Sequence, residues 1–255
     1  MLILAIGDIV GKPGRKAVGQ LVTPLREEYG LELVVANGEN AAGGLGMTPD
    51  VAQEMLDAGV DVLTSGNHIW AQKDIFPYLD SEMPLLRPLN YPPGVPGRGY
   101  LTQHGVLVVN LIGRTFIGNF DCPFRAMDRL LDEITPKPPI IVVDFHAEAT
   151  SEKVAMGRYL DGRVSAVLGT HTHVGTIDTR ILPLGSAYVT DIGMVGPIDS
   201  IIGDDPGPVL QRFLTSMPNR LTVGSGKTML NSVLVSVDDK TGRALKIERI
   251  SREIG

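Results

Sequence analysis

Four of the five histidines in the sequence stand beside carboxylate or amide residues, just after short aliphatic runs. The segments are AIGDIVG with Asp8, VANGENAAGG with Glu39 and Asn40, LTSGNHIW with Asn67 and His68, VVDFHAEAT with His146, and VLGTHTHVGT with His171 and His173. Aliphatic runs of this length predict buried strands, and in an open α/β sheet the carboxyl ends of the strands face one crevice. Oxygen and imidazole ligands in this number suit a pair of divalent transition metals, and a metal pair suits phosphoester hydrolysis.

Each of the first three segments also has a simpler interpretation. Asp8 is either a metal carboxylate or the N-cap of the next helix. The Glu39–Asn40 pair is either a carboxylate able to bridge two cations with a neighbouring amide, or a solvated turn. Asn67 offers a neutral carbonyl oxygen as a ligand. His68 is either a general acid, since its pKa lies near neutrality, or a core histidine bonded to the backbone.

The last two segments carry three histidines. If the THTH segment is extended, His171 and His173 project to the same face and both imidazoles reach one site; the alternative is two surface histidines in a turn. His146 again ends an aliphatic strand. Asp144 and Glu148 flank it, and either one orients an imidazole or is simply solvated. Such coincidences at five successive strand ends favour a site, and His104, in a polar stretch, is predicted to lie on the surface.

Composition limits the class of protein. The chain has 255 residues, 43% hydrophobic and 20% charged, and the low aromatic fraction of 5% predicts an aliphatic core. The sequence has no basic region followed by an apolar segment at its start and no apolar run of about 20 residues, so we expect no membrane association. A single cysteine, Cys122, predicts a reducing cytoplasm. The net charge of −6 argues against broad nucleic-acid binding but is compatible with a small phosphorylated ligand held by metals.

The elements that must position these residues follow two patterns. Over the first 80 residues strands alternate with helices, which predicts parallel strands; the strands are 2–6, 31–36 and 60–64 and the helices 14–28, 49–57 and 72–79. After an irregular Pro- and Gly-rich stretch at 84–99, strands predominate, at 106–111, 140–143, 164–168, 180–182, 187–190, 232–237 and 245–250. Only the stretches around 127–134 and 152–159 are predicted to be helical there. We therefore predict an α/β protein with two packed sheets flanked by helices, in one domain spanning 1–255.

The order of the motifs resembles a known family. GD near the start, GEN, GNH, a later strand-end histidine and HTHV resemble the calcineurin-like metallophosphoesterases, and are most similar to the bacterial YmdB-type subgroup of cyclic-nucleotide phosphodiesterases. The segment YVTDIGMVGPIDSIIG at 188–203 also resembles that subgroup. The chain departs from the broader superfamily at Val10, where the GDxHG motif has histidine, and at Glu39, where aspartate is usual.

The resemblance implies an α-β-β-α sandwich of two mixed sheets around two divalent ions, with iron or manganese favoured over zinc or magnesium. It implies one ion held by Asp8, Glu39, Asn40 and His173, and a second held by Glu39, Asn67, His146 and His171. It implies attack of a metal-bound hydroxide on phosphorus, with His68 protonating the leaving oxygen, and 2′,3′-cyclic nucleotides as the favoured substrates.

Two alternatives to this function remain at the level of sequence. One is a dinuclear hydrolase of amide or carboxyl ester bonds; the other is a metal-stabilised regulatory or interaction module with little turnover. Nucleotide binding by the early glycines is disfavoured, because neither GxGxxG nor a Walker-type GxxxxGK motif is present where it is needed. The segment 188–203 is either a loop over the pocket or an ordinary strand with its connection. A homo-oligomer is possible.

Overall fold

Two six-stranded mixed sheets pack face to face in the computed structural model, which describes residues 1–255. The first contains β1 (Leu2–Val10), β2 (Leu33–Asn40), β3 (Val62–Thr64), β10 (Met194–Pro197), β11 (Thr228–Val237) and β12 (Ala244–Ile254), in the order β12-β11-β10-β1-β2-β3. The second contains β4 (Tyr100–Gln103), β5 (Val106–Ile112), β6 (Ile140–His146), β7 (Ala166–Thr170), β8 (Arg180–Ile181) and β9 (Ala187–Val189), in the order β4-β5-β6-β7-β9-β8.

Six α-helices accompany the two sheets. They are α1 (Gly11–Tyr29), α2 (Pro49–Asp57), α3 (Phe76–Leu79, after a 3-10 turn at Lys73–Ile75), α4 (Pro123–Glu133), α5 (Thr150–Leu160) and α6 (Pro206–Thr215). Apolar residues of α1 and α2 pack on the first sheet, and those of α4 and α5 pack on the second. No helix combines the length and the apolar character that crossing a membrane requires.

The alternation of side chains along the strands produces three apolar layers. In β6, Ile140 and Val142 point into the layer between the sheets, whereas Ile141 and Val143 point toward α4 and α5. Strands buried on both faces read as continuous aliphatic runs, which is the pattern in the sequence. The predicted α-β-β-α sandwich of two mixed sheets is confirmed, whereas the prediction that 1–255 form a single domain stays a prediction.

The strand β1 changes phase before its end. Ile3 and Ala5 face the layer between the sheets, but Ile9 belongs to the layer under the helices. The pairing of β1 with β2 shifts register between Ile6 and Asp8, and such an irregularity reverses the face to which the following side chains point. Asp8 is thereby turned inward, between the two sheets.

The parallel pairing predicted for the first three strands is confirmed, since β1, β2 and β3 run parallel. The prediction of only two helices in the second half is wrong, because α6 forms after Asp205, whose side chain accepts a hydrogen bond from the Gly207 amide at 2.8 Å. Its Pro- and Gly-rich first turn obscured the helical period. The strands β4 and β10 were not predicted either.

Candidate metal centre

The structure brings all eight predicted site residues to one edge, where the carboxyl ends of strands from both sheets meet. Asp8 and Glu39 lie within β1 and β2, and Asn67 and His68 follow β3 of the same sheet. His146 ends β6 of the opposite sheet, and His171 and His173 follow β7. Asn40 is the last residue of β2. The site is thus shared between two sheets rather than built on the edge of one.

His146 stands at the middle of the cluster and is fully buried. Its Nε2 lies 3.0 Å from Glu39 Oε1, 3.1 Å from Asn67 Oδ1 and 3.0 Å from His171 Nδ1. A ring nitrogen can donate at most one hydrogen bond. Because His146 Nε2 has three partners at this distance, several of these nitrogen and oxygen atoms point their lone pairs at one another. The ligand atoms of Glu39, His146 and His171 all lie within 4.8 Å of one another.

Contacts on the far side of two rings fix which nitrogen of the neutral imidazole carries the proton. The Thr170 hydroxyl donates to Asp144 Oδ1 at 2.7 Å, so it accepts from His146 Nδ1 at 3.0 Å. Glu148 Oε2 lies 2.8 Å from His171 Nε2. The outward nitrogens are therefore the donors, and the lone pairs of His146 Nε2 and His171 Nδ1 face inward.

His173 is held in the same way by a main-chain carbonyl. Its Nδ1 donates to the oxygen of Ile202 at 2.6 Å, since a carbonyl can only accept. The inward Nε2 lies 4.0 Å from Asp8 Oδ1 and 3.1 Å from Asn40 Nδ2. This side of the cluster contains a buried carboxylate and a further imidazole lone pair.

Asn40 and His68 form a pair at the rim. The Asn40 side-chain carbonyl accepts from His68 Nδ1 at 2.7 Å, and the His68 main-chain amide donates to Glu39 Oε2 at 3.1 Å. His68 therefore bonds to a side chain of the site and not to the backbone, so its interpretation as a core histidine is wrong. The ligand role of Asn40 stays a prediction, since its carbonyl oxygen faces His68 here.

The donor set fits divalent cations. The inward nitrogens of His146 and His171, the amide oxygen of Asn67 and the carboxylate of Glu39 converge without enough protons to join them by hydrogen bonds. Beside them the Asn40 amide donates to His173 Nε2 at 3.1 Å, and the buried Asp8 carboxylate lies 4.0 Å from that nitrogen. Like-signed lone pairs at these distances repel unless a positive charge lies among them. Nitrogen and oxygen donors of this mixture suit iron, manganese or zinc.

The pKa values of the cluster residues show the same need for positive charge near the two carboxylates. Burial by itself lowers the pKa of His146, but the carboxylates of Glu39 and Asp8 more than offset burial and raise it to about 9. Burial raises the pKa of Glu39, but His146 brings it down to about 2. Burial raises the pKa of Asp8 to about 6, and burial together with His146 lowers that of His171 to about 3. A bound cation competes with the proton on His146.

The THTH segment is not extended, so the condition under which His171 and His173 were expected to share a face is not met. His171 has φ +98° and His173 has φ +64°, a region that non-glycine residues adopt at a cost of order 1–3 kcal/mol each. Both rings nevertheless reach the cluster, because the left-handed turn after β7 directs them inward. The alternative of two surface histidines is wrong as well, since His171 and His173 both line the cluster.

A polar layer that sequence reasoning largely missed lies beneath the cluster. Asn37 donates to Asp144 Oδ2 at 3.2 Å, and Thr64 donates to the same oxygen. All three residues are buried, and with Thr170 they separate the carboxylate–imidazole cluster from the aliphatic layer. Asp144 is therefore not solvated and orients His146 through Thr170. In a strand, side chains two positions apart point to the same face, so Asn37 shares a face with Glu39 and Asp144 shares one with His146. This alternation is the sequence signal that could have identified the polar layer.

A buried ion pair supports the histidine turn. Lys153 Nζ lies 2.7 Å from Asp191 Oδ2, which also accepts from the Thr172 amide at 3.1 Å and from the Thr172 hydroxyl at 2.7 Å. Asp191 Oδ1 accepts from the Gly193 amide at 2.7 Å. Thr172 stands between the two histidines, so Asp191 holds the turn in its left-handed conformation. No sequence pattern marked Lys153, and Asp191 was marked only as part of the segment 188–203.

A pocket of about 330 Å³ opens over the cluster. Its walls include Glu39, His68, His171 and His173 and, from the far side, Ile202 and Asp204. The segment 188–203 is thus partly ordinary structure, since it contains β9 and β10, and only its end reaches the pocket.

The remaining simple interpretations fail. The residue at the N-cap of α1 is Val10, so Asp8 is not a helix cap. Glu39 and Asn40 are buried within β2 and do not form a solvated turn. His104 lies on the surface as predicted, 3.5 Å from Asp61.

Comparison with known proteins places this site in a family. Residues 4–250 match the family described as YmdB-like protein. The chain belongs to the YmdB-like family. It is 50% identical over 254 residues to a 2′,3′-cyclic-nucleotide 2′-phosphodiesterase of Bacillus subtilis, covering 98% of this chain and 96% of the relative. The predicted resemblance is confirmed.

Solved structures of similar proteins share the fold of this YmdB-like chain. A hypothetical protein from Thermus thermophilus superposes with a TM-score of 0.93 at 45% identity, over 99% of both chains. A protein described as a novel phosphatase from Mycoplasma pneumoniae has a TM-score of 0.93 at 33% identity, over 99% of this chain and 93% of the other. The family implies divalent metals, and the carboxylate–imidazole cluster is present.

Replacement of Asp191 tests the support of the histidine turn. Asp191→Ala leaves the Lys153 ammonium buried without a partner, and we expect a loss of about 3–5 kcal/mol in the free energy of unfolding. Urea denaturation measures this loss. Lys227→Ala, which removes a solvent-exposed ion pair with Glu253, is the control and should change stability little. Equal effects of the two substitutions would contradict the supporting role of Asp191.

Proposed function

We propose that this protein hydrolyses phosphodiesters, with 2′,3′-cyclic nucleotides as the favoured substrates, at a centre of two divalent cations. The observation that carries the proposal is the convergence of imidazole nitrogens from His146, His171 and His173 around two buried carboxylates beneath an open pocket. A catalytic metal site keeps an open position, whereas a structural one is closed. The named activity of the Bacillus subtilis relative supports the same reaction class and favours it over amide or carboxyl ester hydrolysis.

The proposed ligands divide between two ions. Asp8, Asn40 and His173 would hold one, Asn67, His146 and His171 the other, and Glu39 would contribute an oxygen to each. Iron or manganese fits the mixed nitrogen and oxygen donors best, with zinc or magnesium as alternatives. Two divalent ions carry four positive charges and the carboxylates of Asp8 and Glu39 neutralise two, so the site retains charge to attract an anionic diester.

Two cations at such a site would activate a water molecule at neutral pH and stabilise the charge that develops on the phosphoryl oxygens. The chain itself supplies the proton for the leaving oxygen. The Nδ1 proton of His68 is held by Asn40, so Nε2 carries a transferable proton only when the ring is an imidazolium. Burial lowers the pKa of His68, and the negative charge of a bound diester would favour the protonated ring. His68 lines the pocket and remains 35% exposed, which gives Nε2 access to substrate. We therefore assign His68 as the general acid.

His68→Ala should separate proton transfer from metal binding. We expect kcat to fall by about 10²–10⁴-fold, the usual contribution of a general acid, while the metal content measured by elemental analysis stays unchanged. His104→Ala, which alters a surface histidine, is the matched control and should retain both the wild-type kcat and the wild-type metal content. Loss of metal in His68→Ala would make His68 a ligand instead.

His171→Ala should have the opposite pattern. The substitution removes a lone pair from the cluster, so we expect a lower metal content per chain in elemental analysis of protein purified without oxygen. His104→Ala again serves as the control. Full metal occupancy in His171→Ala would remove His171 from the centre.

The reaction class is tested on protein purified anaerobically, whose metals are identified first. The same sample is then assayed with 2′,3′-cyclic nucleotides, p-nitrophenyl phosphodiesters and phosphomonoesters, and carboxyl ester and amide substrates. We expect hydrolysis of the diesters, with the cyclic nucleotides preferred. Turnover confined to carboxyl esters or amides would contradict the proposal, as would a fully metallated protein that turns over none of these compounds.

A further inference from the structure

A second concavity adjoins the metal pocket. It has a volume of about 540 Å³ and lies between α6 and the segment 201–204. Its walls are mainly apolar, with Val209, Phe213 and Leu221 from the helix and the chain after it, and Arg212 adds a cationic side chain. We call it the α6 groove. None of the predicted site residues lines it, and the proposed chemistry does not use it.

The α6 groove and the metal pocket share a wall. Ile202 and Asp204 line both, and the carbonyl of Ile202 accepts the hydrogen bond that orients His173. Ile202 itself has φ +48°, a conformation that a β-branched residue rarely adopts. The wall is thus anchored to the cluster, and a molecule whose phosphate lies over the cluster would meet the groove directly beyond it.

The chemistry of the groove suits a planar ring system with polar edges. Phe213 is 78% exposed at the groove, and an aromatic ring in this state is a stacking platform for a base, because every base has a π-face. The carboxylate of Asp204, half-buried between the two spaces, can accept from an N–H or hydroxyl group. The guanidinium of Arg212 can donate to a ring nitrogen or carbonyl.

We propose that the α6 groove binds the base of the cyclic nucleotide, an inference that rests on the proposed function. In a 2′,3′-cyclic phosphate only the ribose separates phosphorus from the base, so a base site must adjoin the phosphate site. The α6 groove is the apolar space that does so. Phe213 stacks on the base, and Asp204 faces the ribose or the base edge nearest the cluster.

A second copy of the chain is the competing occupant. Leu210 and Leu214 are also exposed on α6, and an apolar helix face can serve as an interface. Leu214 does not line the groove, however, whereas Phe213 does. Substitutions at these two neighbouring positions therefore distinguish a ligand in the groove from a partner on the helix.

The test compares adenosine 2′,3′-cyclic phosphate with the 2′,3′-cyclic phosphate of methyl riboside, which has no base. In Phe213→Ala we expect the ratio of kcat/KM for these substrates to fall about tenfold, mainly through KM for the nucleotide, as expected from the loss of one stacked base. Leu214→Ala, at 85% exposure on the same helix, is the matched control and should keep the ratio. An unchanged ratio in Phe213→Ala would overturn the proposal.

A binding measurement keeps this inference separate from the proposed function. Saturation-transfer NMR with adenosine, which has no phosphate, should detect contact in wild type and Leu214→Ala and much less in Phe213→Ala. If wild type binds adenosine in this way but hydrolyses neither cyclic phosphate, the proposed function fails and the base site stands. If wild type hydrolyses both cyclic phosphates while adenosine contact is absent or independent of Phe213, the base site fails and the function stands.

Light scattering tests the competing occupant. If wild type is a dimer and both Phe213→Ala and Leu214→Ala are monomers, the helix face binds a second copy of the chain and the proposal is overturned.

Discussion

Two buried carboxylates at the edge where the sheets meet impose the main constraint on this molecule. Asp8 and Glu39 are almost fully withdrawn from water, and negative charge in that position is costly without a compensating positive charge. Imidazoles from the opposite sheet surround them, and either a proton on His146 or a metal cation would supply the compensating positive charge. The sandwich brings the two sets of donors together because both sheets end their parallel strands at this edge.

The orientation of the imidazoles depends on a wider circle of residues. Each ring that faces the cluster donates its outward N–H to a different kind of acceptor, namely the Thr170 hydroxyl, the Glu148 carboxylate and the Ile202 carbonyl. These acceptors come from a strand end, a loop and the wall of the α6 groove. Ligand geometry is therefore distributed over the fold, and the same hydrogen bond that fixes His173 also positions part of the proposed substrate site.

Sequence patterns predicted which residues come together better than they predicted the backbone conformation that brings them together. The aliphatic runs before Glu39 and His146 predicted that both residues stand at strand ends. A strand that is buried on both faces has an uninterrupted run of aliphatic residues, which is easy to recognise in the sequence. The phase change before Asp8 could not be predicted in this way, because a register shift depends on pairing with a distant strand. The positive φ of His171 could not be predicted either, since the turn that contains this residue is hydrogen-bonded to Asp191, which lies twenty residues further along the chain. The helix α6 was missed because its first turn is rich in proline and glycine, which obscures the helical period.

The aliphatic layer between the sheets has a consequence for the polar cluster at its edge. Glu39 belongs to one sheet and His146 to the other, so the spacing of the sheets sets the 3.0 Å separation of their ligand atoms. Small residues such as Ala5, Ala166 and Ala187 help to fill that layer. A bulkier side chain there would push the two sheets apart and change the separation of these two atoms without touching any polar residue of the cluster. The geometry of the cluster can thus be altered through aliphatic volume alone, with every polar residue left in place.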